Sequence, residues 1–177
     1  PHLACIEIPE QAYAVRYHAA RGDVTVLYRP ARKRWLHALV EGARNRPGLV
    51  AVPTTLAGVR QLLKALKLRK TVGLLPDQVP PEGLGVWSPF FGREAYTMTL
   101  SARLAQQTGA TVVLLWGERL PWGRGYVVHA RELGVALAPD AAESARQINA
   151  AMERLIRECP GQYLWGYARY KKPKEAS

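Results

Sequence analysis

A histidine at position 2 and a glutamate at position 7, in the run His-Leu-Ala-Cys-Ile-Glu, place a general base and an acid close together in the chain. A neutral imidazole can take the proton of a hydroxyl. A carboxylate on its other nitrogen fixes the tautomer and stabilises the imidazolium that forms. Such a pair lets an alcohol attack an acyl group without a nucleophile from the protein. Spacing constrains the pair: on an ideal helix, five positions turn the side chains about 140° apart, so His2 and Glu7 share no helix face. The pair works if His2 stands on a loop or first turn and Glu7 lies inside the helix that follows. The alternative makes His2 a capping or core histidine and Glu7 a solvated helix residue. Cys5, between them, opens a further route through an acyl-enzyme, although a free cysteine is more often a small buried apolar group.

The elements that must position these residues alternate. The sequence predicts a helix over 3–18 interrupted at Pro9, a buried strand over 24–28, a helix over 32–44 and a strand over 49–52. Thr54 or Thr55 caps the next helix, whose stripe is Leu56, Val59, Leu62, Leu63 and Leu66. A strand follows over 71–75, then a proline-rich loop over 76–91, and a helix over 97–108 closed by Gly109. Strands over 111–116 and 126–130 flank a Pro-Trp-Gly-Arg-Gly turn, and a helix with a stripe of Ile148, Met152, Leu155 and Ile156 covers 141–157. The alternation predicts one α/β domain over 1–177, a mainly parallel central sheet flanked by helices, with the 126–130 strand antiparallel.

In such sheets ligands collect at loops leaving the carboxyl ends of strands. Those loops carry Arg29 in Tyr-Arg-Pro, Asp77 and Gln78 in Leu-Leu-Pro-Asp-Gln, and the aromatic run Gly-Val-Trp-Ser-Pro-Phe-Phe-Gly at 85–92. Arg29 carries a planar fork that matches phosphate. Asp77 and Gln78 read as organisers of their loop.

The chain has 177 residues, 48% of them hydrophobic, enough for a sizeable core. No stretch reaches the roughly 20 apolar residues that cross a bilayer. Cys5 and Cys159 form neither a disulfide framework nor a zinc spacing, which fits a reducing compartment. The 25 Lys and Arg against 14 Asp and Glu give a net charge of +11. That excess attracts polyanions: anionic lipid, phosphorylated substrates, acidic carrier proteins or nucleic acid. No nucleic-acid-binding signature accompanies the basic clusters, so nucleic acid is not an expected partner. The first residue is Pro1 rather than Met, which reads as a piece of a longer protein.

Taken in order, the segments at 2–7, 28–30, 74–78 and 85–92, Leu-Ala-Gln-Gln-Thr-Gly-Ala at 104–110, and Pro-Gly-Gln-Tyr-Leu-Trp-Gly-Tyr-Ala-Arg-Tyr-Lys at 160–171 resemble the lipid A biosynthesis acyltransferases. These are the late acyltransferases of the lysophospholipid acyltransferase superfamily. The resemblance covers nearly the whole chain. It implies a lysophospholipid acyltransferase-like α/β fold and an enzyme at the cytoplasmic face of the inner membrane of a Gram-negative bacterium. It also implies an upstream anchor helix and first strand, so that the isolated chain is expected to be inactive. The implied reaction moves a fatty acyl chain from acyl carrier protein to a hydroxyl of a lipid A precursor. Acyl carrier protein, an anionic lipid substrate and the membrane surface are then the partners. Acyl-acyl carrier protein is the co-substrate, and no cofactor or metal is expected. His2 becomes the base, Glu7 its orienting acid, and Arg29, Arg169 and Lys171 candidates for substrate binding, although a structural ion pair is an equal reading for the last two. Ala4 stands where the family usually has glycine, and Ile6 where an aromatic is common. Acylation of a glycerolipid or mannolipid remains open, as does a non-enzymatic basic module on anionic membranes or nucleic acid.

Overall fold

The computed structural model describes residues 2–5, 23–28 and 48–175. Short apolar runs build a sheet of strands β1 (His2–Cys5), β2 (Val24–Tyr28), β3 (Leu49–Pro53), β4 (Thr71–Leu74), β7 (Thr111–Arg119) and β8 (Tyr126–Glu132), in the order β3-β2-β4-β1-β7-β8. The contacts β3–β2, β2–β4, β4–β1 and β1–β7 are parallel, and β8 closes the edge antiparallel to β7. A mainly parallel sheet with an antiparallel last strand is therefore the observed α/β architecture. A separate hairpin pairs β5 (Gly85–Phe90) with β6 (Arg93–Met98).

Helix α1 (Leu56–Lys67) begins at Thr55, whose hydroxyl accepts the Gly58 N–H at 3.3 Å. Its stripe buries Leu62 and Leu66 against Val52, Val72 and Leu74 of the sheet. Leu56, counted in the stripe from its spacing, is instead exposed in the first turn. Helix α2 (Leu100–Thr108) ends at Gly109 in the left-handed conformation, φ 64°, and adds Leu104 and Ala105 to the same core. Helix α3 (Ala141–Glu158) starts from an Asp140 cap and buries Ile148, Met152 and Ile156 against Phe90, Ala95 and Tyr163.

Three expectations are corrected. Residues 3–5 form a strand, not the start of a helix: β1 is hydrogen-bonded on both sides, by β4 and β7, and that pairing outweighs local helical tendency. Residues 85–91, expected as the end of a proline-rich loop, open a hairpin that runs over 85–98. Pro89 lies opposite Glu94, one step from the Phe90–Arg93 pair that closes the turn, so its missing N–H falls on an open edge. Helix α2 consequently starts at Leu100, because residues 97 and 98 belong to β6. The expected segments over 6–18 and 32–44 lie outside the described residues.

Candidate active site

Strands β2, β4 and β1 are neighbours and parallel, so their carboxyl ends lie side by side. Tyr28 ends β2, immediately before Arg29. Leu74 ends β4, leading to Asp77 and Gln78. Cys5 ends β1, leading to Glu7. The topology thus aligns the strand ends that lead to four of the candidate residues. Arg29 and Glu7 themselves lie outside the described residues. His2 is placed differently: it opens β1, in register with Thr111 at the amino end of β7. At about 3.3 Å per residue, it stands roughly 10 Å behind the end of its own strand.

Asp77 and Gln78 part company within one turn. Gln78 is exposed, whereas Asp77 is only 2% exposed and faces inward. The Tyr163 hydroxyl donates to Asp77 Oδ2 at a long 3.5 Å. Nearby, the Val79 N–H donates to the Tyr167 hydroxyl at 2.8 Å, tying the β4 loop to the segment after α3.

That closing segment buries Arg169, 3% exposed. Its Nη1 donates to the Tyr96 carbonyl at 2.8 Å, and its Nη2 to Thr97 Oγ1 at 2.8 Å and Asn149 Oδ1 at 3.4 Å. The guanidinium also lies 5.2 Å from the centre of the Phe90 ring. Burial pulls its pKa below the ordinary arginine value, and the Asp77 charge, then the tyrosines Tyr163, Tyr167 and Tyr170, push part of the way back. A buried cation held by a carbonyl, a hydroxyl and an amide braces the hairpin against α3 and the closing segment. Lys171, two residues on, is exposed, with Nζ 4.4 Å over the Tyr167 ring, where an anionic group can meet it.

Between these residues opens a cleft of about 390 Å³ lined mainly by aromatic rings, among them Phe90, Tyr163, Trp165, Tyr167 and Tyr170, with Lys171 on its wall. Sequence reasoning missed Asn149 and Thr97. Asn149 is fully buried, and its Nδ2 donates to the Pro89 carbonyl at 2.9 Å and to Thr97 Oγ1 at 3.0 Å. Its signal was a polar residue inside the Ala145–Ile148–Met152–Ile156 stripe of α3, a position that must have a partner.

A histidine–carboxylate pair does occur among the described residues. His129 Nε2 lies 2.8 Å from Glu118 Oε2 on the β7–β8 hairpin, and the imidazole stacks on Trp116 at 4.5 Å. Among the described residues no group of three or more His, Cys, Asp or Glu could hold a metal ion, and no helix is long and apolar enough to cross a membrane.

Residues 1–172 match the bacterial lipid A biosynthesis acyltransferase family. The chain is also similar to the lipid A biosynthesis lauroyltransferase of Escherichia coli (strain K12), 32% identical over 120 residues. That match covers 66% of this chain and 39% of the relative, so the chain spans about two fifths of the length of the enzyme it matches.

Proposed function

Because the chain belongs to the bacterial lipid A biosynthesis acyltransferase family, we propose that it carries the catalytic portion of an enzyme that moves a fatty acyl chain from acyl carrier protein to a hydroxyl of a lipid A precursor. The observation that carries this reading is the family match running through 1–172, which spans every candidate site residue. The similarity to a lauroyltransferase makes lauroyl the first donor to try.

In the proposed reaction His2 takes the proton of the acceptor hydroxyl as its oxygen attacks the thioester carbonyl. The tetrahedral intermediate collapses with loss of the carrier thiolate, which receives the proton from the imidazolium. Glu7 holds the ring in the reactive tautomer. Arg29 and Lys171 supply positive charge for the substrate's anionic groups. Asp77, Tyr163 and Arg169 keep the β4 loop and the closing segment in place. The mechanism makes one demand: a strand through Cys5 leaves His2 behind the carboxyl edge, so Glu7 must reach back to it, or the lipid hydroxyl must enter from the amino end of β1. The site works at the cytoplasmic face of the inner membrane of a Gram-negative bacterium, where carrier-linked donors and the lipid acceptor meet.

The test is direct. The full-length protein is given lauroyl-acyl carrier protein and a lipid A precursor, and the product is read by mass spectrometry for one added acyl group. Binding to anionic vesicles without any acyl transfer, from this or other acyl-carrier donors, would replace the enzyme with a basic membrane-binding module. Transfer to a glycerolipid but not to the lipid A precursor would move the activity elsewhere in the superfamily.

A further inference from the structure

Trp122 is 95% exposed at the tip of the β7–β8 hairpin. A free indole in water is unfavourable, and this one is held there by an unusual backbone. Trp122 sits in the left-handed region, φ 60° and ψ 29°, a conformation that costs a non-glycine residue energy. The turn keeps it in place: the Leu120 N–H donates to the Gly125 carbonyl at 2.9 Å, and Arg124 Nε donates to the Pro121 carbonyl at 3.2 Å.

The hairpin is an arm. Its root is packed into the protein, with Leu115 and Trp116 buried, and its tip from Pro121 to Arg124 is exposed. Beside β8, β7 runs on to Arg119, five residues past the level of Leu74 where β4 ends, or roughly 17 Å at about 3.3 Å per residue. Because β7 is parallel to β1, it overhangs the carboxyl edge, where the loops leading to Arg29, Asp77 and Gln78 begin. Gln162 braces the arm at its far end: its Oε1 accepts the Arg119 N–H at 2.8 Å, and its Nε2 donates to the Arg119 carbonyl at 3.1 Å. Charge on the arm is of one sign near the tip. From 119 to 130 the sequence holds Arg119 and Arg124 and no acidic residue, Glu118 just behind them is paired with His129, and Arg131 at the root is paired with Glu158. Tyr126 and Val127 are exposed behind the indole.

An indole flanked by arginines on a rigid projection matches the interface of an anionic bilayer, where the ring settles at headgroup depth and the guanidinium groups meet lipid phosphates. We propose that the β7–β8 arm is the element through which this domain engages an anionic lipid surface, with Trp122 inserted and Arg119 and Arg124 on headgroup phosphates, holding the carboxyl edge of the sheet against the membrane. This rests on the reading that the acceptor is presented in a membrane.

The test uses phosphatidylcholine vesicles with and without phosphatidylglycerol, some carrying bromine-labelled acyl chains that quench a nearby indole. Trp122→Phe should retain most vesicle binding but lose most of the quenching seen in the parent. Trp122→Asn, chosen because asparagine tolerates the left-handed backbone, should weaken partitioning roughly tenfold, the scale of losing one partly buried large side chain. Arg119→Gln with Arg124→Gln should lower binding to the phosphatidylglycerol vesicles and flatten its salt dependence. Quenching unchanged in Trp122→Phe would overturn the proposal, since another indole would then be the one in the bilayer. So would a Trp122→Asn variant that binds vesicles normally but shows a raised KM for the carrier-linked donor, which would make the tip a protein-docking site. Acyl transfer is measured in parallel on the parent. Transfer without Trp122 quenching removes the arm and keeps the enzyme; Trp122 quenching without transfer keeps the arm and removes the enzyme.

Discussion

Arg169 Nη2 donates to the Thr97 hydroxyl at 2.8 Å, a bond across 72 residues of sequence that fastens the closing segment to β6. The same oxygen accepts from Asn149 Nδ2 at 3.0 Å and donates to the Ala95 carbonyl at 3.0 Å. One buried hydroxyl therefore joins the hairpin, α3 and the closing segment. Arg169→Ala leaves the Tyr96 carbonyl, the Thr97 hydroxyl and the Asn149 amide oxygen without their charged donor, and is expected to cost about 1.5–3 kcal/mol in denaturant unfolding. Thr97→Val removes only the hydroxyl and should cost about 1–3 kcal/mol. Arg169→Lys should also lower the unfolding midpoint, because an ammonium cannot make the same fork of bonds. An Arg169→Lys protein with a normal midpoint but a raised KM would assign the guanidinium to substrate instead.

Two histidines compete for the role of base, and their variants separate them. His2→Ala should reduce acyl transfer by about 10²–10⁴-fold with an unchanged unfolding midpoint, the usual worth of a general base. Glu7→Gln should also lower the rate, because it keeps a hydrogen bond but loses the charge that stabilises the imidazolium. His129→Gln, which breaks the 2.8 Å contact with Glu118, should leave the rate within a few-fold of the parent. If the effects of His2→Ala and His129→Gln are reversed, the base is on the β7–β8 hairpin.

Arg29 and Lys171 should respond differently to conservative change. Arg29→Lys keeps the charge and loses the planar fork, so the rise in KM for a phosphorylated acceptor should persist. Lys171→Arg keeps the charge over the Tyr167 ring and should be nearly silent, whereas Lys171→Ala should raise the same KM. Steady-state kinetics over a range of acceptor concentrations read both, and identical behaviour of all variants and the parent would leave Arg29 and Lys171 as surface charges.

Burial first, and the Glu118 charge second, raise the pKa of the Cys159 thiol. Its reactive thiolate is therefore scarce near neutral pH, and iodoacetamide should label Cys159 more slowly than a free cysteine, with Glu118→Gln accelerating it. Peptide mass mapping distinguishes it from Cys5. The sign for stability follows: the folded state keeps a proton that the unfolded chain gives up, so this contribution is intact below the unfolded value of about 8.5 and is lost as pH rises through the folded one. Labelling of Cys159 as fast as a free thiol at neutral pH would contradict this environment.

The elements legible in the sequence are those whose local signals agree with their tertiary setting. Thr55 caps α1, Gly109 ends α2 with a positive φ, and Ile148, Met152 and Ile156 mark the buried face of α3. The β5–β6 hairpin was concealed because its turn breaks the usual rule. Phe91 and Gly92 form the two-residue turn with φ 48° and 73°, and such turns normally begin with Asn, Asp or Gly. Phe91 is held there by tertiary contacts: its N–H donates to Glu153 Oε1 at 2.7 Å, and its ring meets Trp165 at 5.7 Å. At the site, the motif at 160–171 drew attention to Arg169 but not to its surroundings. A buried guanidinium and an exposed one have the same letter, and only the fold brings Thr97 and Asn149 to it.

The position of β1 has a consequence for how the protein is made. Its two partners, β4 and β7, lie about 70 and about 110 residues further along the chain. The ribosome therefore releases the middle strand of the sheet long before either neighbour exists, and its backbone groups must wait unpaired until those strands emerge. Topologies dominated by such distant pairings fold slowly and expose strand edges meanwhile. The interval between emergence of β1 and completion of β7 is the period in which a nascent chain needs protection from its own copies, and slowing translation after residue 74 should lengthen it.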